Sequence, residues 1–141
     1  MNVGVTSSDS VERLRQIPAF GNADDGLLAR IVDLSSDLNV PAGQVLIRAD
    51  DPGAGMFLLL DGAVLVEGHG RTIELTAGSV FGELSLLVPE ATRVARVRAT
   101  TPVRCLVVDR AAFEELLDEP AFTRAMLQVV AQRLWDVMRG Q

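Results

Sequence analysis

"FGELSLLVPEATRVA", Phe81–Ala95, decides how the rest of the chain is read. Short apolar segments broken by turn residues lie on both sides of it. Between them it places a glycine, a glutamate and, ten residues after that glutamate, an arginine. A glycine ahead of a short helical turn lets backbone come close to a ligand. The amides of Glu83, Leu84 and Ser85, at the start of such a turn, point outward as anion donors. Glu83 can accept hydrogen bonds from hydroxyls, and Arg93, returned by the following strand, offers a planar pair of donors to a phosphate. A phosphate and a vicinal hydroxyl together describe a nucleotide sugar.

Working outward, the texture from Leu38 to Val108 is one of brief segments between turns: "LNV", "QVLIR", "MFLLL", "AVLVE", "RTIEL" and "SVF" before the interruption, "VARVRA" and "VRCLVVD" after it. Short strands at this spacing predict a sandwich or small barrel with tight hairpins. Gly53, Gly55, Gly62, Gly68, Gly70 and Gly78 are expected at turns that need unusual backbone angles. Ahead of the strands, Ser10–Gln16 reads as a helical turn with Ser10 as N-cap. A second helix, capped by Asn22 or Asp24, carries Leu27, Leu28, Ile31, Val32 and Leu34 on one face. Behind the strands, Asp109 caps "RAAFEELL" and Pro120 opens a long final helix. Its apolar positions, Phe122, Met126, Leu127, Val129, Val130, Leu134, Trp135, Val137 and Met138, wrap around more than one stripe, so a second face needs a cover: a ligand pocket, another subunit or part of a longer chain.

The bulk composition bounds the function classes. A chain of 141 residues is expected to form one domain, with an N-terminal leader and helices over 1–36, a β-roll over 37–109 that includes the segment 81–95, and a hinge with lid helices over 110–141. Thirteen basic residues, all arginine, against nineteen acidic ones give a net charge of −6, which lacks the electrostatic footprint of a nucleic-acid binder. The single cysteine, Cys105, allows no intrachain disulfide, and its setting in "VRCLVV" reads as an interior strand; a cytoplasmic location is expected. The amino terminus shows no signal peptide, and no apolar run approaches the roughly 20 residues of a membrane span.

The order "PAGQVLIR", a D-P-G turn, "MFLLLDGAVLV", "AGSVFGELSLL", an arginine, a strand and a final helix resembles the cyclic nucleotide-binding domain family, and within it the catabolite activator branch, from about Val11 to Arg139. The resemblance implies an antiparallel β-roll or jelly-roll barrel flanked by helices. It makes Phe81, Gly82, Glu83, Leu84, Ser85, Arg93 and Val94 the phosphate-binding cassette. By that resemblance Glu83 bonds the ribose 2′-hydroxyl, the amides of Leu84 and Ser85 touch the cyclic phosphate, and Arg93 pairs with an exocyclic oxygen. Val94 departs from the small or hydroxyl-bearing residue usual there. It gives up a side-chain hydrogen bond worth about 1 kcal/mol, which leans against cyclic GMP and makes cyclic AMP the first expectation. Leu75 and its strand neighbours would support the base, with Trp135 of the final helix as a lid. The expected partners are the cyclic nucleotide and either a second copy through the C-terminal helix or an unidentified effector domain. The chain ends at Gln141 without the helix-turn-helix that follows in that branch, and neither nucleic acid nor membrane is expected as a direct partner.

Other readings stay open beside it. Glu83 and Arg93 could simply close their loop as an ion pair, leaving a ligand-free β-roll that acts in interaction or dimerisation. Trp135 could be a core or dimer contact. A cupin-like metalloenzyme would suit the strand spacing, but such a site is normally built from several histidines, and this chain has only His69, in a hairpin tip. No metal site, no resident cofactor and no catalytic residues are expected.

Overall fold

The computed structural model describes residues 7–49, 55–68, 70–88 and 95–139. Arg93, Val94, His69, Gly53 and the D-P-G turn lie outside them. Eight strands are present among the described residues: β1 (Ser36–Val40), β2 (Val45–Ile47), β3 (Gly55–Asp61), β4 (Ala63–Gly68), β5 (Arg71–Thr76), β6 (Val80–Phe81), β7 (Arg96–Ala99) and β8 (Val103–Asp109). They form two antiparallel four-stranded sheets, β1-β8-β3-β6 and β2-β7-β4-β5. Each of the eight segments singled out in the sequence supplies one strand. The sheets face each other as a roll and do not close into the barrel that the sequence left open, since β1 and β6 end one sheet and β2 and β5 the other.

Strand β3 explains the architecture. Its first six residues are all buried because it has a core on both faces. Met56, Leu58 and Leu60 point into a helix-side cluster with Leu14, Leu28 and Phe113, while Phe57 and Leu59 point between the sheets to Val64, Phe81 and Cys105. A continuous apolar run, rather than an alternating one, is what such a doubly covered strand requires. The β3–β4 hairpin turns at Gly62 with φ +93°, where a Cβ would stand 2.2 Å from the carbonyl oxygen of Pro102. Only glycine fits there.

Helices α1 (Ser7–Arg15) and α2 (Asp25–Leu34), a 3-10 turn at Pro18–Phe20, α4 (Arg110–Leu116) and α5 (Pro120–Met138) cover the outer face of the first sheet; the four-residue α3 (Leu84–Leu87) lies between β6 and β7. Asp24 accepts from the amide of Leu27 and Asp109 from that of Ala112, each at 2.8 Å, so both expected caps form, with Asp24 chosen over Asn22. Ser10 is not an N-cap. It lies inside α1, buried, and accepts from Arg104 of β8, whose guanidinium also binds Asp9 and Asp37 and so ties α1 to two strands. Gly55 and Gly68 lie in strands rather than turns. At Gly55 the cause is close approach, because a Cβ would meet the Val108 carbonyl oxygen at 2.8 Å.

Candidate functional site

The site begins where β6 leaves the first sheet. Phe81 is buried and stacks on Phe57 with ring centroids 4.9 Å apart and nearly parallel planes, which fixes the direction in which the chain departs. Gly82 follows with φ +87°. A Cβ at this position would stand 2.6 Å from the Gly55 carbonyl oxygen and 3.2 Å from the Phe57 ring, so both backbone conformation and crowding by β3 require glycine. The turn delivers Glu83 to the N-cap position of α3, where it makes no side-chain cap and its carboxylate is free for other work. Ser85 Oγ donates back to the Gly82 carbonyl at 3.1 Å and fastens the turn.

Glu83 is fully buried. Its Oε2 accepts from Arg133 Nη1 at 2.7 Å, and Arg133 Nη2 donates to the Val80 carbonyl, also at 2.7 Å. Oε1, equally buried, has no hydrogen-bond partner among the described residues. Burial pushes the carboxyl above the ordinary glutamate range, and the charge of Arg133 and, to a smaller extent, Glu83's own backbone amide act against that rise. The arrangement is therefore a carboxylate with one oxygen held by a cation on the last helix and the other without a donor among the described residues. A second contact runs from the same loop to the hinge, since Arg110, first residue of α4, donates to the Ser85 carbonyl at 3.2 Å.

The structure thus brings Phe81, Gly82, Glu83, Leu84 and Ser85 into one turn beside α5. Leu84 of that turn is exposed at its side chain. Leu75 stands on β5 opposite Val64, half-buried against the inter-sheet cluster. Trp135 is two residues beyond Arg133 on α5, 56% exposed, with the Arg139 guanidinium 6.0 Å from its ring centre. Cys105 is buried and its thiol is pushed up to about 12 by burial. Among the described residues, no group of three or more His, Cys, Asp or Glu is placed to hold a metal ion, and no helix is long and apolar enough to cross a membrane.

Arg133 is the residue that sequence reasoning missed, although a signal was there. Phe122, Met126, Val129 and Arg133 recur at spacings of four, three and four along α5, so an arginine occupies the core-facing stripe of a helix. A charge in that position needs a buried partner, and Glu83 supplies it.

Comparison with known proteins gives this geometry a context. The cyclic nucleotide-binding domain model matches residues 37–119. The cyclic nucleotide-gated potassium channel of Mesorhizobium japonicum is 36% identical over 100 residues, covering 71% of this chain and 28% of that protein. The cAMP-dependent protein kinase regulatory subunit of Schizosaccharomyces pombe is 33% identical over 106 residues, covering 74% of this chain and 26% of that one. The chain therefore spans less than a third of the length of these curated relatives. Among solved structures, the Thermus thermophilus catabolite activator protein superposes with a TM-score of 0.76 over 85% of this chain and 59% of that one at 24% identity, a likeness of fold.

Proposed function

Because the chain belongs to the cyclic nucleotide-binding domain family, we propose that it is a regulatory sensor for a cyclic nucleotide, cyclic AMP in the first place, and that it signals through its last helix. One observation carries the reading: the Glu83 carboxylate, fully buried, is held at one oxygen by Arg133 of α5 and has no donor at the other among the described residues. A buried acceptor without a partner costs about 1–3 kcal/mol. A ribose hydroxyl donating to Oε1 from a ligand seated in the turn would recover that energy. The amides of Leu84 and Ser85 take the cyclic phosphate, Arg93 its exocyclic charge, Val94 the position that leans against cyclic GMP, and Leu75 the base.

In this reading the signal leaves by the two arginines that clasp the cassette turn. Arg133 links Glu83 and Val80 to α5, and Arg110 links Ser85 to α4. A ligand that reorders the turn therefore changes what both C-terminal helices hold, and an effector reads their position. Trp135, two residues from Arg133 and exposed, is available as the lid over the base. The protein works in the cytoplasm, as a non-enzymatic module.

The test is calorimetric titration of the purified chain with cyclic AMP, cyclic GMP and 2′-deoxy cyclic AMP, beside Glu83→Gln and Arg93→Ala. Cyclic AMP should bind more tightly than cyclic GMP. Loss of the 2′-hydroxyl should cost about 10- to 100-fold in affinity, the worth of one hydrogen bond to a charged group, and Glu83→Gln should abolish most of that difference. Equal affinity for the deoxy and ribo ligands would remove Glu83 from ribose recognition. No heat with any nucleotide would favour the ligand-free interaction module.

A further inference from the structure

Helix α5 is pinned near its start and gripped on either side of the pin. Phe122, in its first turn, is fully buried between Phe20 of the 3-10 turn, with ring centres 6.3 Å apart, and Phe113 of α4, edge-on at 5.7 Å. Ala125 and Met126 are buried behind it, whereas from Ala131 to Arg139 every residue except Arg133 is exposed. Beyond the pin, Arg133 holds the helix to Glu83 and Val80. Before it stands Glu119, whose side chain makes no cap to α5. Its Oε2 lies instead 3.1 Å from Nε of Arg30 on α2. The same guanidinium donates from Nη2 to Glu115 Oε2 of α4 at 2.9 Å. One arginine of α2 thus bridges two carboxylates on either side of the break between α4 and α5.

The two halves of this bridge are unequal. On the α4 side the contact is an aligned hydrogen bond. On the α5 side Arg30 Nε is buried and has no hydrogen-bond partner among the described residues, although the Glu119 oxygen is within reach. A buried donor beside an off-line acceptor gains a bond when the acceptor moves into line and loses the ion pair when it moves away, so the energy of the contact depends on the tilt of α5. The break cannot heal into one helix, because Pro120 lacks an amide hydrogen and its ring would meet the Leu116 carbonyl. Thr123 Oγ1 donates to the Leu117 carbonyl at 2.9 Å and keeps the two helices in touch at the pivot. Room for tilting is present: an open groove of about 840 Å³, lined by Ala19, Ala23, Leu117 and Ala121 among others, lies between the 3-10 turn and the first turns of α5.

We propose that Arg30 is a positioning residue that sets the resting tilt of α5, acting on Glu119 as the short arm of a lever whose fulcrum is Phe122 and whose long arm carries Arg133. At 1.5 Å per residue Glu119 stands about 5 Å before Phe122 and Arg133 about 16 Å beyond it, so a shift of about 1 Å at the clamp becomes about 3 Å at the cassette end. Arg30, Glu115 and Glu119 are each about half exposed. An ion pair in such a setting adds little to global stability, yet it shifts a two-state population about two- to fivefold. The tilt acts as a signal only within the nucleotide reading above, on which that part rests; the resting tilt itself needs no ligand.

Distance measurement between nitroxide labels on Ala131→Cys of α5 and Thr72→Cys of β5, without nucleotide, reads the tilt, and Glu12→Cys with Thr72→Cys is the control pair within the body. The buried Cys105 is out of the label's reach. Arg30→Met and Glu119→Gln should each shift or broaden the Ala131 to Thr72 distribution by about 2 Å or more, the displacement at Ala131 for a tilt of about 10°. The control pair and the circular dichroism spectrum should not change, and the double variant should go no further than either single one. Glutamine at 119 leaves the helix start intact, since the side chain caps nothing there. Distributions unchanged in both variants, an equal change in the control pair, or additive effects of the two substitutions would each overturn the proposal. Titration of the same samples with cyclic AMP keeps the two readings apart: a tilt that responds to Arg30 in a chain that binds no nucleotide leaves this one standing and removes the other.

Discussion

Replacing Arg133 by methionine tests the link between cassette and last helix most directly. The change keeps the apolar stem of the side chain but removes two charge-assisted hydrogen bonds of 2.7 Å, one to Glu83 and one to the Val80 carbonyl. What remains is a fully buried glutamate with no cationic partner among the described residues. Breaking a buried pair from one side costs about 3–5 kcal/mol. Here 38% of the Arg133 side chain is open to water, so solvent replaces part of the loss and about 2–3 kcal/mol is expected at neutral pH. For a chain of this length that corresponds to a fall of roughly 6–12 °C in Tm. The size should depend on pH with a definite sign. Burial holds the Glu83 carboxyl above the ordinary 4.5 of a glutamate, so the folded state binds this proton more readily than the unfolded one. The group's contribution to stability is greatest below about 4.5 and declines as pH rises through the raised value. Arg133 moderates that decline by favouring the ionised form; without it the decline steepens, and the penalty of Arg133→Met should be smaller at pH 5 than at pH 7.5. Urea unfolding of wild type, Arg133→Met, Glu83→Gln and the double variant at both pH values measures the coupling. A penalty below about 0.5 kcal/mol, a penalty that is equal at both pH values, or additive single changes would refute the reasoning.

Two further outcomes follow, one from the same turn and one from strand β8. Gly82→Ala should destabilise by about 2 kcal/mol or more, since alanine at φ +87° meets both a left-handed backbone and the Gly55 carbonyl oxygen at 2.6 Å; thermal unfolding checks it, and a loss within about 0.5 kcal/mol would mean the turn relaxes freely. Cys105, buried and with its thiol pushed up to about 12, should resist a thiol-specific reagent at pH 8 in the native protein and react promptly once urea unfolds it, so native-state labelling at the rate of a free thiol would contradict its placement.

What the sequence disclosed and what it hid divide along the range of the forces involved. The caps at Asp24 and Asp109 were legible because a carboxylate satisfying an amide three residues on is a local event. The eight strands were legible because turn residues punctuate them. Ser10 was misread because its partner, Arg104, is 94 positions away and overrides the local preference of serine for a helix start. Gly55 was misread for a similar reason: the demand for glycine comes from strand β8 crossing close by, and no turn is involved. Within the candidate site, the cassette turn could be outlined from its own residues, but the partner of Glu83 lies fifty positions away on another element, and an arginine on the inner stripe of α5 announces that a partner is needed without naming it.

Strand β3 is a shared wall. Its odd and even side chains serve different cores, so a disturbance on the helix side cannot be absorbed there without moving Phe57, and Phe57 is the surface on which Phe81 rests before the chain turns to Glu83. The helical layer and the roll are therefore coupled through β3, whose own amides should exchange only in openings that reach both cores, and a change in the packing of one layer is felt at the mouth of the other through a single ribbon of backbone.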